Sequence, residues 1–152
     1  RSASIKCICK MIRLQFDNYY DINVEKNEIA HVRSAEALME FLERNRDYFK
    51  ELKGVYIINA FDTEDTGTPR PIYVGKAKNL YNRLYEHCKE MMPERCSEIK
   101  QLKDKKWIDA FSPYRSHELI VEFIELENEV DRRWLESKLH HEYDTIFEHK
   151  KV

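Results

Sequence analysis

The sequence predicts an α/β domain, a small and mainly antiparallel sheet flanked by helices, with a strand and a helix added in front of it. Three observations lead there. Runs rich in β-branched and aromatic residues recur as GVYIINA (54–60), PIYVGK (71–76) and ELIVEFIEL (118–126). Longer stretches between and after them carry apolar residues three and four apart, the period of a helix lying on a sheet. A polar connection with Gly67 and Pro69, FDTEDTGTPR, joins the first two runs as a long-tipped hairpin.

The elements follow in order. MIRLQF (11–16) alternates apolar and polar residues, as a half-buried strand does. SAEALMEFLERNRDYFKEL (34–52) reads as a helix with Ser34 as N-cap, glutamates early, and Leu38, Phe41, Leu42, Tyr48 and Phe49 as its inward stripe. It stops before Gly54. After the hairpin, Asn79 is a second N-cap, and Leu80 with Leu84 forms an apolar pair one turn apart in a helix reaching about Met92. A third helix is expected over Glu94–Lys103. ELIVEFIEL is the strongest strand of the chain, and ENEVDRRWLESKLHHEYDTIF (127–147) reads as a long helix with Val130, Trp134, Leu135, Leu139 and Tyr143 inward.

At 152 residues and 42% hydrophobic, the chain suits one domain with a real core. Residues 1–53 read as an extension and 54–148 as the main unit. Met11 offers a native start, which leaves residues 1–10 as a processed or appended segment. No apolar run approaches a membrane span and no basic-then-apolar leader opens the chain, so an intracellular protein without a membrane partner is expected. Cys7, Cys9, Cys88 and Cys96 lack the spacing of a zinc ribbon or redox dithiol and read as reduced bystanders. His140 and His141 are adjacent, point about 100° apart on a helix, and do not form a metal pair.

The net charge of −2 argues against a general nucleic-acid coat, but it hides a split. From Lys76 to Lys106 nine basic residues face five acidic ones, a surplus of four, whereas His117–Glu148 holds ten acidic against three basic. One face can therefore meet phosphate, with Lys78, Lys103, Lys105 and Lys106 as candidate DNA contacts; solvated surface charge is the plainer alternative.

The chemistry converges where PIYVGK meets the next helix. Gly75 ends a strand just before a helix N-terminus, whose unpaired N–H groups favour an anion such as phosphate, and Lys76 follows it. Arg83 and His87 are four apart and share a helix face, a fixed cation beside a titratable donor. Such a set suits the charge that develops on a phosphodiester under attack. Glu136 is a hard oxygen ligand for a divalent ion. VGKAK is not a P-loop, which excludes nucleotide hydrolysis by that route.

GVY at 54–56, YVG at 73–75, KAKNLYNRLYEH after them and RRWLESKLHHEY at 132–143 occur in this order. The set resembles the GIY-YIG nuclease family, above all the N-terminal nuclease of the bacterial excision-repair incision protein. The resemblance covers residues 54–148 and leaves 1–53 outside it. It implies about three family strands, a DNA endonuclease with a place in repair, and Mg²⁺ as cofactor with Mn²⁺ as a substitute. It further implies Tyr56 as general base or water-orienting group, and Tyr73 as hydrogen-bond partner of the phosphate or nucleophile. Lys76 would depress a tyrosine pKa, Arg83 stabilise the transition state, His87 occupy the family's histidine or tyrosine position, and Glu136 bind the metal. One residue departs from the pattern: Glu148 stands where that branch carries an asparagine, and a carboxylate cannot replace the amide as donor. A catalytically impaired module that binds nucleic acid or a protein is therefore the alternative. Residues 11–53 are the candidate surface for a protein partner or a homodimer.

Overall fold

The computed structural model describes residues 8–16, 20–62, 67–95, 102–143 and 145. Its strands are β1 (Ile8–Phe16), β2 (Tyr20–Val32), β3 (Gly54–Ala60), β4 (Arg70–Ala77) and β5 (Leu119–Glu125). The helices are α1 (Ala35–Arg44), α2 (Arg46–Phe49), α3 (Leu80–Met91), α4 (Leu102–Phe111) and α5 (Glu129–Glu142). All five strands join one antiparallel sheet in the order β1-β2-β5-β3-β4. The fold is the expected α/β one. None of the described helices is long and apolar enough to cross a membrane.

The sheet separates two cores. One face carries Tyr56, Ile58, Tyr73, Ala77, Val121 and Phe123 under α1, α3 and α4; the other packs Val55, Ile57, Val74 and Ile124 against Leu135 and Leu139 of α5. Every residue of β3 is buried, because this strand lies between two neighbours and is covered on both faces. Gly54, at its start, is set by close approach: a Cβ there would lie 2.0 Å from the Ile124 carbonyl oxygen, which is backbone and has little room to yield. Gly54→Ala is expected to destabilise the fold by about 1–3 kcal/mol, the usual cost of overpacking, read as a lower denaturant midpoint.

The region before residue 54 differs from the expected strand and helix. MIRLQF lies within β1, but a second long strand, β2, follows and carries the sheet into β5. Its alternation changes phase at a bulge between Glu28 and Ala30. Val24 therefore belongs to the α5 side while Ala30 and Val32 belong to the other, so no single period runs through the strand.

Ser34 caps α1 by accepting from the Ala37 N–H at 3.2 Å, as expected. The helix breaks at Asn45, whose side-chain amide donates to the Phe41 carbonyl at 2.9 Å. Beyond the break Phe49 stays buried but Tyr48 turns outward, 46% exposed. The helix expected over 94–103 is displaced: Pro93–Arg95 form a single 3-10 turn and α4 starts at Leu102, with 96–101 outside the described residues. On α5 the inward stripe is Arg132, Leu135 and Leu139, while Val130 and Trp134 face outward at 54% and 41% exposure. Arg132 can be buried because its guanidinium donates to the Leu126 and Glu127 carbonyls and to Glu129.

Candidate active site

The site begins with a cross-strand pair. Tyr56 on β3 lies opposite Gly75 on β4, and a Cβ at 75 would come within 2.4 Å of the Tyr56 hydroxyl. Only glycine leaves that space for the phenol. Tyr73 lies two residues earlier on the same strand and face, its ring 6.0 Å from that of Tyr56.

Asn79 opens α3 by accepting from the Asn82 N–H at 3.0 Å, and the helix then runs over this face with Leu80, Leu84, His87 and Met91 buried. His87 reaches the centre of the group. Its Nε2 is 2.7 Å from the Tyr56 hydroxyl and its Nδ1 is 2.9 Å from Glu90. Its ring stacks on Phe111 at 4.7 Å and meets Tyr73 edge-on at 4.9 Å, with Trp107 at 6.0 Å.

Burial governs the acidities. Desolvation, helped by Tyr73, pushes the Tyr56 phenol well above its ordinary 10, against the opposing Arg83 charge. Tyr73 rises to about 12, again chiefly by burial and again opposed by Arg83. Neither phenol is made acidic, contrary to the depressed tyrosine pKa expected above. Desolvation also lowers His87 below its ordinary 6.5, opposed by Glu90, so the imidazole is neutral near pH 7. The sign for stability follows: the unfolded chain takes up this proton more readily, so the His87 contribution is present above pH 6.5 and is lost as pH falls below it.

The Arg83 guanidinium favours the ionised form of both phenols, against the effect of burial, and it donates to Glu86 at 2.7 Å. Glu136 comes from α5, which packs on the other side of the sheet, yet its carboxylate also acts electrostatically on both hydroxyls. Tyr56, Tyr73, Arg83 and His87 thus form one neighbourhood beside β4, the edge strand, and Glu136 bears on its two phenols through charge alone.

Lys76 does not join it. One residue beyond Gly75 on the strand, its ammonium is 3.0 Å from Glu129 at the start of α5. Strand alternation is the reason, since adjacent side chains leave opposite faces. Glu129 also pairs with Arg132 at 2.8 Å, and its carboxyl is held down to about 2 by hydrogen bonds from Lys76 and Arg132.

Protein-family models, curated proteins and solved structures offer no match to this chain.

Among the described residues, no group of three or more His, Cys, Asp or Glu side chains is disposed to hold a metal ion. Mg²⁺ does not require one, since it is commonly bound through one or two carboxylates, water and substrate phosphate. Glu136 suits that role: its side chain is 24% exposed, and its ion pair with His140 is a loose one at 3.8 Å.

Lys78 is exposed in the turn before α3. Lys105 and Lys106 are exposed on α4, whose Trp107 and Phe111 pack against Tyr73 and His87, although Lys105 also pairs with Asp109 at 3.1 Å. Lys103 lies in α4 with its side chain outside the described set, as are Glu148, Cys7 and Cys96 altogether. Cys88 is a buried free thiol whose pKa burial raises. Sequence reading missed Glu90, Trp107, Phe111 and Glu129. Glu90 was within reach, because it lies three residues after His87 on the same helix.

Proposed function

We propose that the chain is a metal-dependent endonuclease that hydrolyses DNA phosphodiester bonds at the site formed by Tyr56, Tyr73, Arg83, His87 and Glu136. The supporting observation is a contiguous set of complementary groups: a cation, a phenol and a neutral imidazole, with a carboxylate bearing on the same phenol.

Arg83, with its side chain 37% exposed, binds a non-bridging phosphate oxygen and stabilises the charge that builds there. The two phenols, kept protonated by burial, serve as hydrogen-bond donors near neutral pH. Tyr56 is thus no free-standing base; the group able to accept a proton is His87, through the Tyr56 hydroxyl. Glu136 with a substrate phosphate would hold Mg²⁺, or Mn²⁺ in its place, and the ion supplies Lewis acidity and a template for the leaving oxygen.

Lys78, Lys105 and Lys106 hold the DNA backbone beside this site. The net basic surplus is small, so DNA affinity is expected to fall with salt along a shallow log–log slope, no steeper than about −4. Reversing Lys105 and Lys106 to glutamate should weaken binding more than it slows the chemical step, measured by fluorescence anisotropy beside single-turnover cleavage. A slope of zero contradicts the nucleic-acid reading. Incubating the protein with duplex, branched and single-stranded DNA, with and without Mg²⁺ or Mn²⁺, tests the function itself. Cleavage only in the presence of metal is expected, whereas binding without turnover identifies an impaired binding module.

A further inference from the structure

We infer that Glu90 is a positioning residue for this site: its carboxylate fixes the tautomer of His87, turning Nε2 toward Tyr56 as an acceptor, and stabilises the imidazolium formed when that nitrogen takes a proton. The catalytic half of the inference rests on the hydrolytic reading above, while the tautomer half stands on geometry alone.

His87 is 1% exposed, so its two ring nitrogens depend on protein partners. Nδ1 faces Glu90 at 2.9 Å and Nε2 faces the Tyr56 hydroxyl at 2.7 Å. An ionised carboxylate can only accept, so the hydrogen is on Nδ1. Nε2 then holds a lone pair, and the Tyr56 hydroxyl donates to it. Tyr73 approaches from β4, and Trp107 and Phe111 approach from α4, leaving the ring little freedom to flip. The charged groups bearing on His87 are Arg83, Glu86 and Glu90, all on its own helix; Glu90 alone is hydrogen-bonded to the ring. The Glu90 side chain is 23% exposed against 1% for His87, which makes it the wet end of the series.

The proton accounting closes. As the attacking water forms its bond to phosphorus, its proton passes to the phenolic oxygen while the Tyr56 proton moves to Nε2. The bond from phosphorus to the leaving oxygen breaks, and that oxygen takes a proton from solvent. The imidazolium faces the Glu90 carboxylate, which stabilises it until Nε2 returns its proton through the Tyr56 hydroxyl to water, restoring the Nδ1–H tautomer.

Two readouts test this on the whole protein. Long-range ¹H–¹⁵N spectra at pH 7.5 should show His87 as the Nδ1–H tautomer in the wild type and in Glu90→Gln, whose amide oxygen still accepts. Glu90→Ala should move it to Nε2–H. With Mg²⁺ and duplex DNA, Glu90→Ala should lower kcat by about 10- to 100-fold, with KM within about twofold, and Glu90→Gln should fall between it and the wild type. An Nε2–H tautomer in the wild type overturns the inference without recourse to any variant. A tautomer switch in Glu90→Ala with kcat unchanged overturns the positioning role. Absence of cleavage by a wild type with the Nδ1–H tautomer overturns the hydrolytic reading and supports the tautomer assignment.

Discussion

Glu136→Gln is expected to abolish metal-dependent cleavage while leaving the fold and most of the DNA affinity in place. The amide keeps the shape of the side chain and removes the charge that a hard divalent ion requires. Lewis-acid stabilisation is worth several kcal/mol and each 1.36 kcal/mol is tenfold, so a rate loss of about 10³-fold or more is expected. The helix should not suffer, because α5 is held by Leu135, Leu139 and the buried Arg132, and Glu136 is partly exposed. Single-turnover cleavage across a Mg²⁺ titration, beside thermal unfolding and anisotropy, measures all three quantities. Undiminished cutting would place the metal elsewhere.

The second large effect is expected at Arg83. Arg83→Ala should lower the rate by about 10²-fold or more, the scale of a lost transition-state donor. The side chain is partly exposed and its neighbour Glu86 can hydrate, so the unfolding midpoint should move little. Tyr56→Phe makes an informative companion. It keeps the ring but leaves buried Nε2 of His87 without its donor, at a cost of about 1–3 kcal/mol. A similar fall in rate is expected, so cleavage must be expressed per folded molecule. If stability falls while that normalised rate holds, Tyr56 is a packing residue alone.

The hairpin, β5, α3 and the N-terminus of α1 were legible in the sequence because each is locally determined. Asn79 and Ser34 can be read as caps, and the runs of β3 and β5 are short and rich in β-branched and aromatic residues, which favours strand over helix. β2 was not legible, since its bulge moves the apolar residues from one face to the other. Charge clusters at EKNE then look like a loop. On α5, Trp134 and Val130 are apolar but outward, while Arg132 is charged but inward, because backbone carbonyls of the preceding turn satisfy it. No pattern of hydropathy could announce that arrangement.

The candidate site was legible as a list of residues and less so as chemistry. Tyr56, Tyr73, Arg83 and His87 come together because a hairpin and the following helix bring them there. Lys76 was expected beside them and instead pairs with Glu129, since one step along a strand changes face. The phenols were expected to be acidified by nearby cations. The sequence names those neighbours but carries no measure of desolvation, and desolvation prevails at both tyrosines.

Nicking of supercoiled plasmid by the wild-type protein tests the central claim most directly. Conversion to the open circle should begin on addition of Mg²⁺, stop when EDTA is added and resume with excess Mg²⁺, with the Glu136→Gln protein silent throughout. Plasmid that is bound but stays supercoiled at every Mg²⁺ and Mn²⁺ concentration, or nicking that continues unchanged in EDTA, would contradict it.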